Sequence, residues 1–117
     1  MAPKAETFTE MAWEAIISAQ QIAKDNRQQI VETEHLLYAL LQESELAYRI
    51  LEKAGASLKE FKIAVKDHIK AQPKILGEQK SLYLGKGLNQ LIDNANQYKT
   101  KIGDSFVSIE HLLLAIS

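Results

Sequence analysis

The chain has 117 residues, 46% of them apolar and 25% charged, a balance that suits a single soluble core and argues against disorder. A formal net charge of −1 argues against a general nucleic-acid binder, and the lack of cysteine removes disulfide frameworks, thiolate zinc sites and cysteine nucleophiles, in keeping with a reducing compartment. No apolar run approaches the ~18 residues of a membrane span, and residues 1–7 are too short and polar for a signal peptide.

In chain order, Ala12, Ala15, Ile16, Ala19, Ile22 and Ala23 recur at helical spacing, so an amphipathic helix is expected over residues 9–24. Two starts fit it: Thr9 as N-cap with Phe8 stapled against Trp13, or Thr7 as N-cap through a Thr7-x-x-Glu10 box. The sequence does not separate them. A polar break at residues 25–29 and a short apolar approach, Ile30-Val31, lead to a second helix over 33–42 with Leu36, Leu37, Leu40 and Leu41 inward. A third helix, over 45–54, is expected to bury Leu46, Ile50 and Leu51 and to end at Gly55. Ser57-Leu58-Lys59-Glu60 has the form of a capping box for a fourth helix running to residue 71, with Leu58, Phe61, Val65 and Ile69 inward. Pro73 and Gly77, with no apolar periodicity around them, mark residues 72–81 as a linker. A fifth helix is expected over 84–101, weakened early by Gly85 and Gly87 and closed by Gly103-Asp104. Ser108 then caps a sixth, with Glu110 in its first turn, where the helix dipole favours a carboxylate.

Residues 30–40 return as residues 106–116, with the Glu34-His35-Leu36-Leu37 run repeated as Glu110-His111-Leu112-Leu113. The same offset of 76 positions lays Phe8, Ala12, Ala15, Ile16 and Ala19 on Leu84, Leu88, Leu91, Ile92 and Ala95. The expected fold is therefore all-α, a duplicated helical repeat with pseudo-twofold symmetry, its repeats at about 8–71 and 82–117. Continued, the offset would put the partners of residues 42–71 at 118–147, so the second repeat is expected to be truncated. An uncovered face around Leu112, Leu113 and Leu114 would then invite self-association. Repeat architectures serve binding more often than bond-making chemistry.

The chemistry-bearing residues have plainer roles to set against functional ones. Adjacent Glu and His point about 100° apart on a helix, whereas helical metal sites need i, i+3 or i+4 partners, so no metal site is expected. His35 and His111 are read as packed or capping residues near the seam, and His68 lies beside Ile69 on the fourth helix. Gly85-Lys86-Gly87 lacks the spacing and preceding strand of a phosphate loop. Lys62, Lys66 and Lys70 form an i, i+4 row that reads as a solvated face. Thr9 is foremost an N-cap, and Asp104 can bond turn amides through its own side chain. Trp13 and Tyr83 are core by default, although aromatic side chains also anchor binding sites.

Phe8-Thr9-Glu10-Met11-Ala12, Thr33-Glu34-His35-Leu36-Leu37, Gln72-Pro73-Lys74, Tyr83-Leu84-Gly85 and the run from Gly103 through Leu113 together resemble the Clp N-terminal repeat domain, in the form carried by ClpB-type AAA+ disaggregases. The Clp adaptor-regulated unfoldases share the doubled Glu-His-Leu motif but have a linker of different character. The resemblance implies two four-helix repeats tethered in front of ATPase rings in a homohexamer, and a non-catalytic role in capturing unfolded or aggregated polypeptide for the pore. It implies a patch near Thr9, Asp104 and Glu110 and an apolar groove for which Ile92, Leu88, Leu91 and Tyr83 are the side chains at hand. No cofactor is implied in this stretch, ATP and magnesium belonging to the ATPase modules outside it. Implied partners are client proteins, the ATPase modules and an adaptor or co-chaperone, with no nucleic acid and no membrane, in a bacterial cytoplasm or an organelle stroma or matrix. The alternative is an adaptor-docking domain of a ClpC- or ClpA-type unfoldase. An enzymatic reading, a metal-dependent hydrolase using the Glu-His pairs, stands in third place.

Overall fold

Thr9 settles where the first helix starts. Its Oγ1 accepts the Ala12 amide at 3.2 Å, so α1 (Glu10–Asp25) begins directly after it, and the rings of Phe8 and Trp13 pack with centroids 5.6 Å apart across the cap. Thr7 is not the cap; its hydroxyl donates to the Lys4 carbonyl at the end of a short 3-10 turn, Ala5–Thr7. The geometry is that of a computed structural model of the chain, which describes residues 3–55, 57–78 and 81–117. Gln79 and Lys80 of the expected linker, Ala56 before the fourth helix, and Met1 and Ala2 lie outside the described residues.

The remaining elements are β1 (Ile30–Val31), α2 (Thr33–Glu43), α3 (Glu45–Lys53), α4 (Leu58–Ala71), β2 (Tyr83–Leu84), α5 (Lys86–Ile102) and α6 (Ile109–Ile116). The fold is all-α, with a strand pair at the seam too short for periodicity to reveal. β1 and β2 are parallel, Ile30 facing Tyr83 and Val31 facing Leu84, and a second parallel bridge joins Phe8 to Val107. The offset of 76 carries Val31 and Leu84 onto Val107 and Phe8. It likewise carries the Thr9 N–H bond to the Val107 carbonyl, 2.9 Å, onto the Gly85 N–H bond to the Val31 carbonyl, 2.8 Å. Each repeat thus pairs the approach to its own second helix with the residues before the other repeat's first helix, which is the pseudo-twofold in backbone hydrogen bonds.

Gly85 has a different reason from helix weakening. It is the N-cap of α5, with Leu84 in the strand before it, and a Cβ there would stand 1.8 Å from the Glu32 carboxylate and 3.0 Å from Ile30 Cγ2. A side chain there would push the Glu32 carboxylate aside, so the packing of β2 on the start of α2 favours glycine. At the other end of α5, Gly103 takes the left-handed conformation at φ 87°, and its repeat counterpart Arg27 does the same at φ 56°. Arg27 keeps that conformation while its carbonyl accepts the Ile75 amide at 2.7 Å and its guanidinium donates to the carbonyls of Ile75 and Gly77, fastening the segment after α4 to the end of α1.

Small residues let α1 approach its neighbours. Ala12, Ala15 and Ala19 share one core with Ile16, Leu36, Leu40, Leu88, Leu91 and Leu112. Two sequence expectations fail at the periphery. α3 buries Ala47, while Leu46 and Ile50 are exposed and Leu51 only half-buried; the Ser44 cap accepts the Ala47 amide at 3.0 Å, and α3 packs chiefly on α2. α4 buries Leu58, Val65 and Ile69 but leaves Phe61 exposed, and Ser57, its N-cap, makes no side-chain cap hydrogen bond. Among the described residues no helix is long and apolar enough to cross a membrane.

Candidate functional site

The two Glu-His pairs are helix-start devices. The Nδ1 of His35 accepts the Glu32 N–H at 2.8 Å, and the Nδ1 of His111 accepts the Ser108 N–H at 2.8 Å. In each case histidine takes the place that glutamate or glutamine holds in a capping box. A backbone N–H can only donate, so Nδ1 carries the lone pair and the proton of the neutral ring is assigned to Nε2. The His35 Nε2–H donates to Gln28 Oε1 at 2.7 Å, and Gln28 Nε2 in turn donates to the Ile69 carbonyl at the end of α4. The His111 Nε2–H donates to Asp104 Oδ2 at 2.8 Å. Gln28 and Asp104 are themselves repeat counterparts, each seven positions before its histidine. Burial holds the His35 pKa below its ordinary value, against the opposing charge of Glu34 and the backbone bond from Glu32.

The glutamates of the two pairs differ. Glu34 accepts from Gln72 Nε2 at 2.6 Å and lies 3.7 Å from His68 Nε2, which fixes it to the end of α4. Glu110 is exposed in the first turn of α6, and among the described residues its side chain makes no hydrogen bond or ion pair. Asp104 orients a histidine rather than turn amides, with its own side chain 52% exposed. The Thr9 N–H bond to the Val107 carbonyl joins the start of α1 to the segment leading into α6, whose first turn carries Glu110 and whose His111 is held by Asp104. Among the described residues no hydrogen bond or ion pair joins the side chains of Thr9, Asp104 and Glu110 directly. No three His, Asp or Glu side chains converge as a metal site would require, again among the described residues.

The expected groove residues separate into three environments. Ile92 is half-buried and lines a groove of about 200 Å³ together with Thr7, Phe8, Asn89, Asn96, Val107 and the charged Lys4 and Asp93. Leu88, 1% exposed, and Leu91 are core residues, on the side of α5 that packs against α6 and α2; they drop out of the expected groove. Tyr83 is 53% exposed and lines a different groove, of about 480 Å³, with Trp13, Gln20, Val31, Leu82 and Leu84. Trp13 is half-buried and forms a wall of that groove rather than a core packing unit alone. The sequence reading did not single out Asn89 and Asn96, though they share a helical stripe with Ile92 at i, i+3 and i+7; polar residues interleaved with apolar ones on a buried-looking face were the available signal.

Residues 7–117 match the family described as the Clp repeat N-terminal domain. The chain is 48% identical to ClpB 1 of Parasynechococcus marenigrum over 117 residues, all of this chain and 14% of that protein. It is 51% identical to ClpB 2 of Synechocystis over 108 residues, 92% of this chain and 12% of that one. A chloroplastic ClpB2 of Oryza sativa is 47% identical over 113 residues, 96% of this chain and 12% of its relative. The chain thus spans about one eighth of the length of these curated relatives. Among solved structures, the Hsp104 N-terminal domain from Candida albicans superimposes with a TM-score of 0.84 at 25% identity, covering 92% of this chain and 71% of that one.

Proposed function

The chain belongs to the Clp repeat N-terminal domain family and has ClpB chaperones among its relatives; from that premise we propose that it is a non-catalytic polypeptide-binding domain, which takes up unfolded or aggregated protein and passes it to the AAA+ ring of a ClpB-type disaggregase. The observation that carries this reading is the groove beside Ile92. Half-buried Ile92 stands there beside the buried side chains of Phe8 and Val107, where the two repeats meet, and the strand bridge at that point leads to Thr9 and to the start of α6, which carries Glu110 and is tied to Asp104 through His111. An extended chain that has lost its native partners offers apolar side chains for such a groove and backbone groups for a polar rim. ATP and magnesium act in the ring, and the ring, client proteins and a co-chaperone are the partners.

A groove of this size must overcome association entropy and side-chain ordering, so one domain gives micromolar affinity or weaker, and several domains in one assembly raise the effective strength. The test is titration of a permanently unfolded protein against the wild type, Ile92→Ser and Glu110→Ala. Ile92→Ser should weaken binding about tenfold, the loss of one buried aliphatic anchor, and Glu110→Ala less. Equal affinities for all three proteins would remove the site.

A further inference from the structure

We infer that the groove containing Trp13 and Tyr83 is a second polypeptide subsite, the repeat-related twin of the groove at Ile92, and that it holds a bulky uncharged side chain of the same extended client. This rests on the reading of the first groove given above. Five of its lining residues, Trp13, Gln20, Val31, Tyr83 and Leu84, stand at the repeat offset from five that line the first groove, Asn89, Asn96, Val107, Thr7 and Phe8. The twinning follows from the seam. Each groove floor is one half of a strand pairing, Val31 with Leu84 in one and Val107 with Phe8 in the other, and each wall is the corresponding stripe of α1 or α5.

The twins differ in chemistry, and the difference names the occupant. Trp13 and Tyr83 stand where the first groove has Asn89 and Thr7, so the second is aromatic-walled, and it is the wider of the two at about 480 Å³ against about 200 Å³. Among the described residues no charged side chain lines it, whereas Lys4 and Asp93 line the first. An aromatic pocket without charge discriminates against ionised side chains, which would lose hydration with nothing in return, and favours phenylalanine, tyrosine or leucine. Trp and Tyr are also the residue types that dominate binding hot spots. Asn89 and Pro3 border both grooves, so the two are contiguous, and one extended segment can seat an apolar side chain in each. Two anchors on one chain convert the second contact into an intramolecular event, which strengthens binding without enlarging either groove.

Trp13 is the only tryptophan of the chain and reports directly on the second groove. A tryptophan-free, uncharged peptide carrying two phenylalanines is titrated into the wild type, Tyr83→Ser, Tyr83→Phe and Ile92→Ser, with affinity read from the anisotropy of the labelled peptide and Trp13 emission recorded in parallel. Because Tyr83 is mostly exposed, its truncation should leave the fold intact, which circular dichroism checks. Tyr83→Ser should weaken binding about tenfold, Tyr83→Phe should restore it, and Trp13 emission should shift to the blue on saturation. If Tyr83→Ser binds as the wild type does while Ile92→Ser is impaired, the second subsite is wrong and the first groove stands alone. If neither variant is impaired, both readings fall.

Discussion

The His35 and His111 junctions share one backbone geometry and sit in opposite surroundings. His35 is fully buried, and its partner, Gln28, is an amide that spends its other end on the Ile69 carbonyl of α4. His111 is nearly as buried, but its partner, Asp104, is a carboxylate with half its side chain in water. The glutamate beside each histidine follows suit, Glu34 held by Gln72 and His68, Glu110 unpartnered among the described residues. A duplicated device has thus kept its helix-capping role in both copies, while its charged groups are absorbed into packing in one and left accessible in the other. Where the copies diverge is where a surface for partners is to be sought.

The comparison breaks first on stability. His35→Ala removes the acceptor for the Glu32 N–H and strands the Gln28 carbonyl, which is 2% exposed. Together with the cavity, that loss should cost about 3 kcal/mol. His111→Ala removes the same cap, but Asp104 can be rehydrated where it stands, so the cost should be about 1–2 kcal/mol. Urea unfolding of the two variants measures the difference. Equal losses would mean that the surroundings of the two histidines do not matter energetically.

The pH dependence of stability probes the His35 junction and should have a smaller effect. The pKa of His35 lies below its ordinary 6.5 in the folded protein, with desolvation the leading cause. The unfolded chain therefore takes up the proton first, and the contribution of His35 to stability, complete above pH 6.5, is lost as the pH falls from there toward the folded-state value. His35→Gln has no such titration, so wild-type stability minus that of His35→Gln should decline between pH 7.5 and 5.5. A difference that is flat with pH, or that rises on acidification, would refute a neutral His35.

Much of this was legible in the sequence because it is written in patterns with a period. The offset of 76 fixed the duplicated all-α fold, and the start of the first helix narrowed to two threonines, one of which the structure selects. Burial at the periphery was not legible. Leu46, Ile50 and Phe61 have helical spacing, but spacing says which residues share a stripe and not how far the neighbouring helices reach across it. The two-residue strands carry no alternation long enough to read, and without them nothing announces that Tyr83 and Ile92 lie in separate grooves. Leu88 and Ile92 are four residues apart on one helix, with the same composition signal, yet one is sealed in the core and the other half-buried at a groove. The partnership of Gln28 with His35 and of Asp104 with His111 was within reach, since the repeat offset aligns both pairs, but only the histidines drew attention as repeated residues.

The finest discrimination is between the geometry of Asp104 and its charge. Asp104→Asn preserves an oxygen to accept the His111 Nε2–H, as Gln28 does for His35, so the second junction becomes chemically like the first. Since the acceptor is half-exposed, stability should change by about 1 kcal/mol or less, a hydrogen bond to a charged group giving way to one between neutral groups. Polypeptide binding separates two roles. If Asp104 serves the surface only by orienting His111 and the start of α6, Asp104→Asn should bind clients like the wild type while Asp104→Ala binds less well. If its charge faces the client, both substitutions should weaken binding alike, and salt should diminish the difference from wild type, since an exposed charge is screened over about 10 Å at 0.1 M ionic strength. The buried, neutral Gln28–His35 pair leads us to expect the first pattern: the junction supplies shape, and the grooves supply the attraction.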